Sequence, residues 1–415
     1  MSLPKLTVVI PTRERADTLL HTLRTVTEQN YPNLEIIVSD NLSQDNTKDI
    51  VESFADKRIK YTSTKNRVGM SSNWEHGLAK VTGDYVMFLG DDDGLLPNAC
   101  ADVAEIIHLT NTKALIWKKP DYNWPSLLQN PNLLSIDISY NLVEMNGKIL
   151  LWLIANGKIS YGLLPVIYSG FVSMQAIRRI KEKSGSFFCS VTPDVYSGIV
   201  LAHELNTYLY SMRPFSINGG SHHSNGIASM SVEKKITKLF FSEADIPMHS
   251  IIKPIPGSIS SCLAEAYLQA YDRGLAGEFK LNKNQYFKLI LKELANQPKP
   301  IYHEKLLSMQ EMDLPKSLRK FIAIELLKEK SISNNTSSEA NKKAFKKRVS
   351  PALQIDGNQF CFSTVYDCSK FLGLLLGEYK HPDFIHKLTL VSIAITISKR
   401  ILKKALNQSI LPFWK

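Results

Sequence analysis

Between residues 5 and 90, four short β-branched runs are separated by three segments of helical periodicity, and this alternation constrains the fold more than any other feature. "KLTVVIP" (5–11), "LEIIVSD" (34–40), "RIKYTST" (58–64) and "DYVMFLG" (84–90) read as strands. "ADTLLHTLRTVTEQ" (16–29) sets Leu19, Leu20, Leu23 and Val26 on one helical face; "QDNTKDIVESFA" (44–55) and "VGMSSNWEHGLAKV" (68–81) are the other two helices. Strand–helix alternation with short connections implies a mostly parallel sheet with helices on both faces. In such sheets ligands lie beyond the carboxyl ends of the strands. Asp40 ends the second strand and Asp91, Asp92 and Asp93 follow the fourth, so both acidic groups are expected on one rim. Three adjacent carboxylates raise one another's pKa. Either they form an acidic surface turn stopped by Gly94 and Pro97, or something positive sits among them. A divalent cation of the Mg²⁺ or Mn²⁺ type suits such a cluster, because it prefers oxygen ligands and is commonly held by one or two carboxylates plus substrate phosphates.

At 415 residues two domains are the natural expectation, and 44% hydrophobic with 21% charged residues describes an ordinary globular chain. Residues 100–230 are less regular, with "KALIWKK" strand-like and "AIRRIKEK" and "VYSGIVLAHEL" helical; from about 233 the pattern turns mostly helical. We therefore expect an α/β domain over 1–230 and a mostly helical domain over 231–415, with a loop or linker at 331–348. Residues 1–230 carry 21 Lys and Arg against 22 Asp and Glu, while 231–415 carry 29 against 17. The positive excess of the later part suits a polyanionic partner. No nucleic-acid-binding motif accompanies it, which argues against nucleic acid. In the tail, Lys387, Lys399, Arg400, Lys403 and Lys404 interleave apolar positions before Phe413 and Trp414. This pattern fits either peripheral contact with an anionic membrane or packing on the helical domain. The uncharged stretch 388–398 is shorter than the roughly 20 residues that span a bilayer. The five cysteines form no C-x-x-C pair, and the start of the chain lacks a secretory pattern; both suit a cytoplasmic protein.

The stretches "TVVIPTRERADTLLHTLRTV" (7–26), "LEIIVSDNLSQDNT" (34–47), "NRVGMSSNWEHGLAKVTGDYVMFLGDDDGLLPN" (66–98) and, more loosely, "PDVYSGIVLA" (193–202) resemble the family-two inverting glycosyltransferases of the GT-A, Rossmann-like fold. The resemblance covers about 1–225. It implies transfer of a sugar from a nucleoside-diphosphate donor, UDP-linked by preference, to a sugar or lipid-linked acceptor hydroxyl, with Mn²⁺ or Mg²⁺ as cofactor. The setting it implies is surface polysaccharide or glycolipid synthesis, at the inner face of the membrane. Pro11, Thr12 and Arg15 match the turn framing base and ribose; Asp40 matches a carboxylate that bonds the base, and its bland reading is a turn cap. Asn66, Gly69 and Asn73 match the segment lining the sugar-diphosphate site, where Arg67 could reach a phosphate. The D-x-D segment falls on Asp91–Asp93, with Gly90 where the family usually has a carboxylate. In one register Asp92 is the metal ligand, Asp91 lies near the ribose and Asp93 supports; in the other, Asp91 and Asp93 form the pair. Asp194, after "SVTP", matches the catalytic base and is also placed to start a helix. "NGGSHHSNG" (218–226) holds His222 and His223, one of which is a candidate further metal ligand, in a glycine-rich loop that could close as a lid. Trp152, Tyr161 and Tyr168 are core aromatics or sugar-stacking groups. Two other readings are a sugar nucleotidyltransferase, disfavoured because "PTRERAD" lacks glycine, and a non-catalytic nucleotide-sugar-binding module.

Overall fold

In the computed structural model, the strand of residues 6–12 splits its side chains by parity. Leu6, Val8 and Ile10 join one buried cluster and Val9 joins another, as the two-residue repeat of a doubly covered strand requires. The structure describes residues 3–137, 139–224, 240–297, 299–310, 312, 314–332, 353–379 and 386–387. In chain order the elements are β1 (Leu6–Thr12), α1 (Ala16–Thr27), β2 (Leu34–Asp40), α2 (Thr47–Ser53), β3 (Ile59–Ser63), α3 (Met70–Leu78), β4 (Tyr85–Phe88), β5 (Gly94–Leu95), α4 (Ala99–Thr110), β6 (Ala114–Trp117), β7 (Asp121–Asn123), β8 (Leu133–Ile136), β9 (Leu142–Asn146), α5 (Gly147–Ala155), β10 (Gly170–Ser173), α6 (Met174–Ser184), α7 (Pro193–Leu205), β11 (Thr207–Ser211) and β12 (Ser216–Gly220). They continue with α8 (Ile259–Asp272), α9 (Lys283–Leu294), α10 (Lys299–Met309), α11 (Lys316–Ile332), β13 (Leu353–Asp356), α12 (Val365–Leu376) and β14 (His386–Lys387).

The main sheet has nine strands in the order β14-β9-β11-β6-β10-β4-β1-β2-β3. Pairings β1–β2, β1–β4, β2–β3, β6–β11 and β9–β14 are parallel; β10 runs antiparallel to both β4 and β6, and β11 to β9. The expected mostly parallel α/β sheet with helices on both faces is therefore present. One face is covered by α1 and α4 through Leu19, Leu23, Val26 and Val103; the other by α3, α5, α6 and α7. A smaller sheet, β13-β8-β7-β12-β5, stands at the carboxyl rim.

Helices dominate the described residues after 240, with β13 and β14 as strands. The core runs across residue 230 without a break: Val9, Trp74 and Phe88 share a buried cluster with Tyr267, Phe287, Leu306 and Ile322. The chain then crosses to the back of the rim, where β13 pairs with β8 and α12 packs on the smaller sheet through Val365, Cys368 and Leu372. Arg213 anchors this return, donating to Leu376 O at 3.1 Å and Gly377 O at 2.7 Å. Most of the 331–348 linker and the basic tail beyond Lys387 lie outside the described residues. No helix among the described residues is long and apolar enough to cross a membrane.

Candidate active site

β1 and β2 end in register at Thr12 and Asp40, and β4 stops at Phe88, so the acidic triplet begins where the parallel strands end. It is not a surface turn: Asp91, Asp92 and Asp93 are 2, 4 and 0% exposed. Burial of three carboxylates demands partners. Asp91 Oδ1 takes an ion pair from Arg15 Nη1 at 2.8 Å. Arg15 also donates to the backbone oxygen of His223. Burial opposes the charge on Arg15, but Asp91 and Asp92 overcome it and raise its pKa. Asp93 Oδ1 accepts from Gly219 N at 2.7 Å, and its Oδ2 lies 3.4 Å from Lys119 Nζ. Tyr168 donates its hydroxyl to the same carboxylate. Lys119 itself lies 3.6 Å from the centre of the Tyr168 ring.

Among the described residues, Asp92 has no such cation at ion-pair distance. Its Oδ2 accepts from Ser221 Oγ at 2.7 Å and Ser224 Oγ at 2.5 Å. Burial and the neighbouring Asp91 push its carboxyl up, against the opposing pull of Arg15 and the two serines. Burial also pushes Asp93 up, with Lys119 pulling it back. Among the described residues, each outer aspartate thus has a cation at ion-pair distance and the middle one has none.

The loop after β12 closes on this triplet because Gly219 has no side chain: a Cβ there would stand 1.7 Å from the Asp92 carbonyl oxygen. Trp124 Nε1 fixes that same oxygen at 3.0 Å. His223 Nε2 stands 3.8 Å from Asp17 of α1, and its ring lies against that of His222 with centres 3.6 Å apart. Burial and His222 lower the His223 pKa. No group of three or more His, Cys, Asp or Glu side chains placed to hold a metal occurs among the described residues. A single carboxylate with hydroxyl neighbours does suit a hard cation whose remaining ligands are water and phosphate oxygens, and Asp92 fits that description. A second observation at the rim agrees: Thr12 Oγ1 is buried without a hydrogen-bond partner among the described residues, as a group awaiting a ligand would be.

The other candidates are placed as follows. Asp40 accepts from Ser43 N and Oγ on Oδ1, and from Tyr61 at 2.6 Å on Oδ2, so it caps the turn after β2 and keeps a lone-pair site. Pro11 is half-buried at the end of β1, Asn66 is exposed, and Arg67 is exposed and paired with Glu14. Gly69 caps α3, where its N–H donates to Asp245 Oδ2 at 3.0 Å. Two residues earlier in the same segment, Glu243 pairs with Arg13 at 2.6 Å.

Asp194 lies in the first turn of α7, behind Pro193 at the helix start. The backbone N–H groups of Asp194 and Val195 reach its carboxylate, and burial pushes its pKa up while Lys119 pulls it down. Tyr161 and Cys262 are its electrostatic neighbours; burial and then the charge of Asp194 push the Cys262 thiol up to about 12. Lys119, which acts on both Asp93 and Asp194, was not visible as a site residue in the sequence. In "IWKKP" it reads as half of a solvated pair, and only its place just after a buried strand hints otherwise.

Residues 7–161 match the family model described as glycosyl transferase family 2. The chain is 39% identical over 106 residues to a GalNAc(5)-diNAcBac-PP-undecaprenol beta-1,3-glucosyltransferase of Campylobacter jejuni, covering 25% of this chain and 34% of that protein. It is 30% identical over 91 residues to an Escherichia coli UDP-Glc:alpha-D-GlcNAc-diphosphoundecaprenol beta-1,3-glucosyltransferase, covering 22% of this chain and 36% of that one. The match thus spans about a third of each of these two relatives' length. An uncharacterized glycosyltransferase of Haemophilus influenzae is 24% identical over 50% of this chain and 80% of its own. Among solved structures, Staphylococcus aureus TarS 1–349 with UDP-GlcNAc aligns at 17% identity and a TM-score of 0.43, over 81% of this chain and 93% of that one. The family match thus covers residues 7–161 of the 415, and over those residues the chain is similar to glycosyl transferase family 2.

Proposed function

We propose that the chain is a metal-dependent inverting glycosyltransferase that moves a sugar from a UDP-linked donor to a hydroxyl of a polyprenyl-diphosphate-linked sugar. The observation that carries this reading is the charge pattern of the rim. Among the described residues, three buried aspartates meet two cations, Arg15 and Lys119, and the carboxylate left without an ion-pair partner is Asp92. Asp92 would hold a Mg²⁺ or Mn²⁺ ion, which supplies electrostatic stabilisation to a leaving diphosphate when bound. Asp194 is the proton acceptor for the acceptor hydroxyl. Its burial raises its pKa, the direction that strengthens a carboxylate as a base. Pro11, Thr12, Arg15 and Asp91 frame the nucleotide, and Asp40 offers its remaining lone pair to the base. Asn66 and Arg67 border the diphosphate from the exposed side. One of His222 and His223 would be a further ligand of the metal.

Two supports come from the relatives. The printed names of the Campylobacter and Escherichia coli proteins specify undecaprenyl-diphosphate-linked acceptors, and the second specifies UDP-Glc. Action on such acceptors would call for work at the inner face of a membrane, and the basic later part of the chain is the contact we propose. The test is UDP release from a panel of UDP-hexoses with Mn²⁺ and GlcNAc-diphosphoundecaprenol, with the product's anomeric configuration read by NMR. Asp194→Asn is expected to lower the rate by about 10²–10⁴-fold, the usual worth of a positioned base. A retained configuration, or full activity in both Asp92→Asn and Asp194→Asn, would overturn the proposal.

A further inference from the structure

Outside the part of the chain matched by the family model, one buried acid is tied directly to the segment that carries Asp194. Glu265 of α8 is fully buried and faces no cation within ion-pair distance among the described residues. Its Oε2 accepts from Ser190 Oγ at 2.5 Å; its Oε1 accepts from Gln269 Nε2 at 2.8 Å and His249 N at 3.2 Å. Gln269 is held in turn by Arg273 Nη1, which donates to its side-chain oxygen at 2.8 Å. Ser190 is gripped from the opposite side as well, where its carbonyl oxygen accepts from Ser71 Oγ of α3 at 2.6 Å. The same Ser190 hydroxyl accepts from Thr192 N at 3.3 Å, and Thr192 O accepts the first helical bond of α7 from Tyr196 N at 3.0 Å. An unbroken chain of hydrogen bonds therefore runs from α8 through Ser190 and Thr192 to the turn that presents Asp194.

A buried carboxylate without an opposing charge is costly. Core packing of α8 on α7 needs no acid: Leu263, Ala264, Ala266 and Tyr267 already make that face apolar. Ser190 and Thr192 are the polar groups the acid serves toward the site, and both precede Asp194 by four residues or fewer. We propose that Glu265 is a positioning residue for glycosyl transfer: through Ser190 it fixes the start of α7, and so the Asp194 carboxylate, relative to the acceptor hydroxyl. The inference rests on the reading of Asp194 as the base. It gives the later part of the chain a defined task, that of setting the catalytic turn from behind. A displacement near 1 Å at a reacting group is enough for a rate loss of about 10²-fold.

The test uses the full chain with Glu265→Ala, Glu265→Gln, Ser190→Ala and Asp194→Asn, and two readouts. Amide hydrogen exchange, which needs no substrate, is compared for peptides spanning 187–199 and for β1 and β4. Glu265→Ala and Ser190→Ala are expected to speed exchange in 187–199 by at least about tenfold while β1 and β4 stay as in the wild type. UDP release is expected to show kcat lowered by about 10- to 100-fold with acceptor KM within about twofold, and an altered pH–rate limb. Glu265→Gln, which keeps an acceptor oxygen for Ser190, is expected to recover most of both. Unchanged exchange at 187–199 in Glu265→Ala overturns the inference, as does acceleration spread equally over the whole sheet. Failure of the base assignment is separate: it is shown by an active Asp194→Asn and leaves the exchange result standing.

Discussion

Replacing Lys119 by methionine removes one of the two cations that, among the described residues, pair with the three buried aspartates of the rim. At the observed 3.4 Å, two unit charges in surroundings of effective dielectric about 20 attract by about 5 kcal/mol. Desolvation of both groups offsets much of that in the native protein. The variant does not recover the offset, because Asp93 stays fully buried with its charge uncompensated, and the expected cost is about 3–5 kcal/mol. Asp93→Asn removes the opposite partner. Lys119 then keeps its place over the Tyr168 ring, where a cation–π contact holds about 1–2 kcal/mol, so this variant is expected to lose less, about 2–3 kcal/mol. The double variant has neither charge to strand. Urea unfolding at pH 7 should show it less destabilised than the two singles together by at least about 1.5 kcal/mol. Additivity within about 0.5 kcal/mol would show that Lys119 and Asp93 do not sense each other, and the account of the triplet would fail with it.

Gly219→Ala is expected to destabilise by about 3 kcal/mol or more, because its Cβ would meet backbone atoms of Asp92 at 1.7 and 2.6 Å. Gly162→Ala, with nothing within 4 Å, is the control for the same urea midpoint measurement. Acid should weaken the fold through Glu35. Burial alone would raise its carboxyl, but hydrogen bonds from Lys60, Thr82 and Thr7 hold it down at about 2 against an ordinary 4.5. A depressed folded value means the contribution is present above the unfolded value and is lost as pH falls from about 4.5 toward 2. The half-exposed Lys60 discounts the magnitude to about 2–3 kcal/mol. Glu35→Gln should flatten the stability profile in that window, and an unchanged profile would count against the assignment.

The first ninety residues were legible because their signals are local. β1 and β2 are β-branched runs closed by a proline or an aspartate, and α1 carries its apolar stripe at helical spacing, so observed limits fall within a few residues of those expected. The rim position of the triplet followed from the same alternation. What stayed hidden was built from distant or very short pieces. β5 has two residues and β7 three, too few for any periodicity, and β12 arrives from far along the chain to pair with both. "Mostly helical" described the later residues in bulk but missed β13, which has only four residues and is held by its antiparallel partner β8. Lys119 and Glu265 carry no motif. Each is a charged residue beside apolar ones, and only the folded neighbourhood shows that one stands between Asp93 and Asp194 and the other behind Ser190. The single hint for Glu265 was an acid flanked on both sides by alanine in "CLAEAYL".

The central claim is that Asp92 is the carboxylate kept for a cation that grips a sugar donor's diphosphate. Calorimetric titration of UDP into the wild type and Asp92→Asn, each with Mn²⁺ and with EDTA, addresses it most directly. The account predicts that the wild type with Mn²⁺ binds UDP at least about tenfold more tightly than the other three, a difference of about 1.4 kcal/mol. Equal binding of UDP in all four, or no binding to the Mn²⁺-loaded wild type, would contradict it.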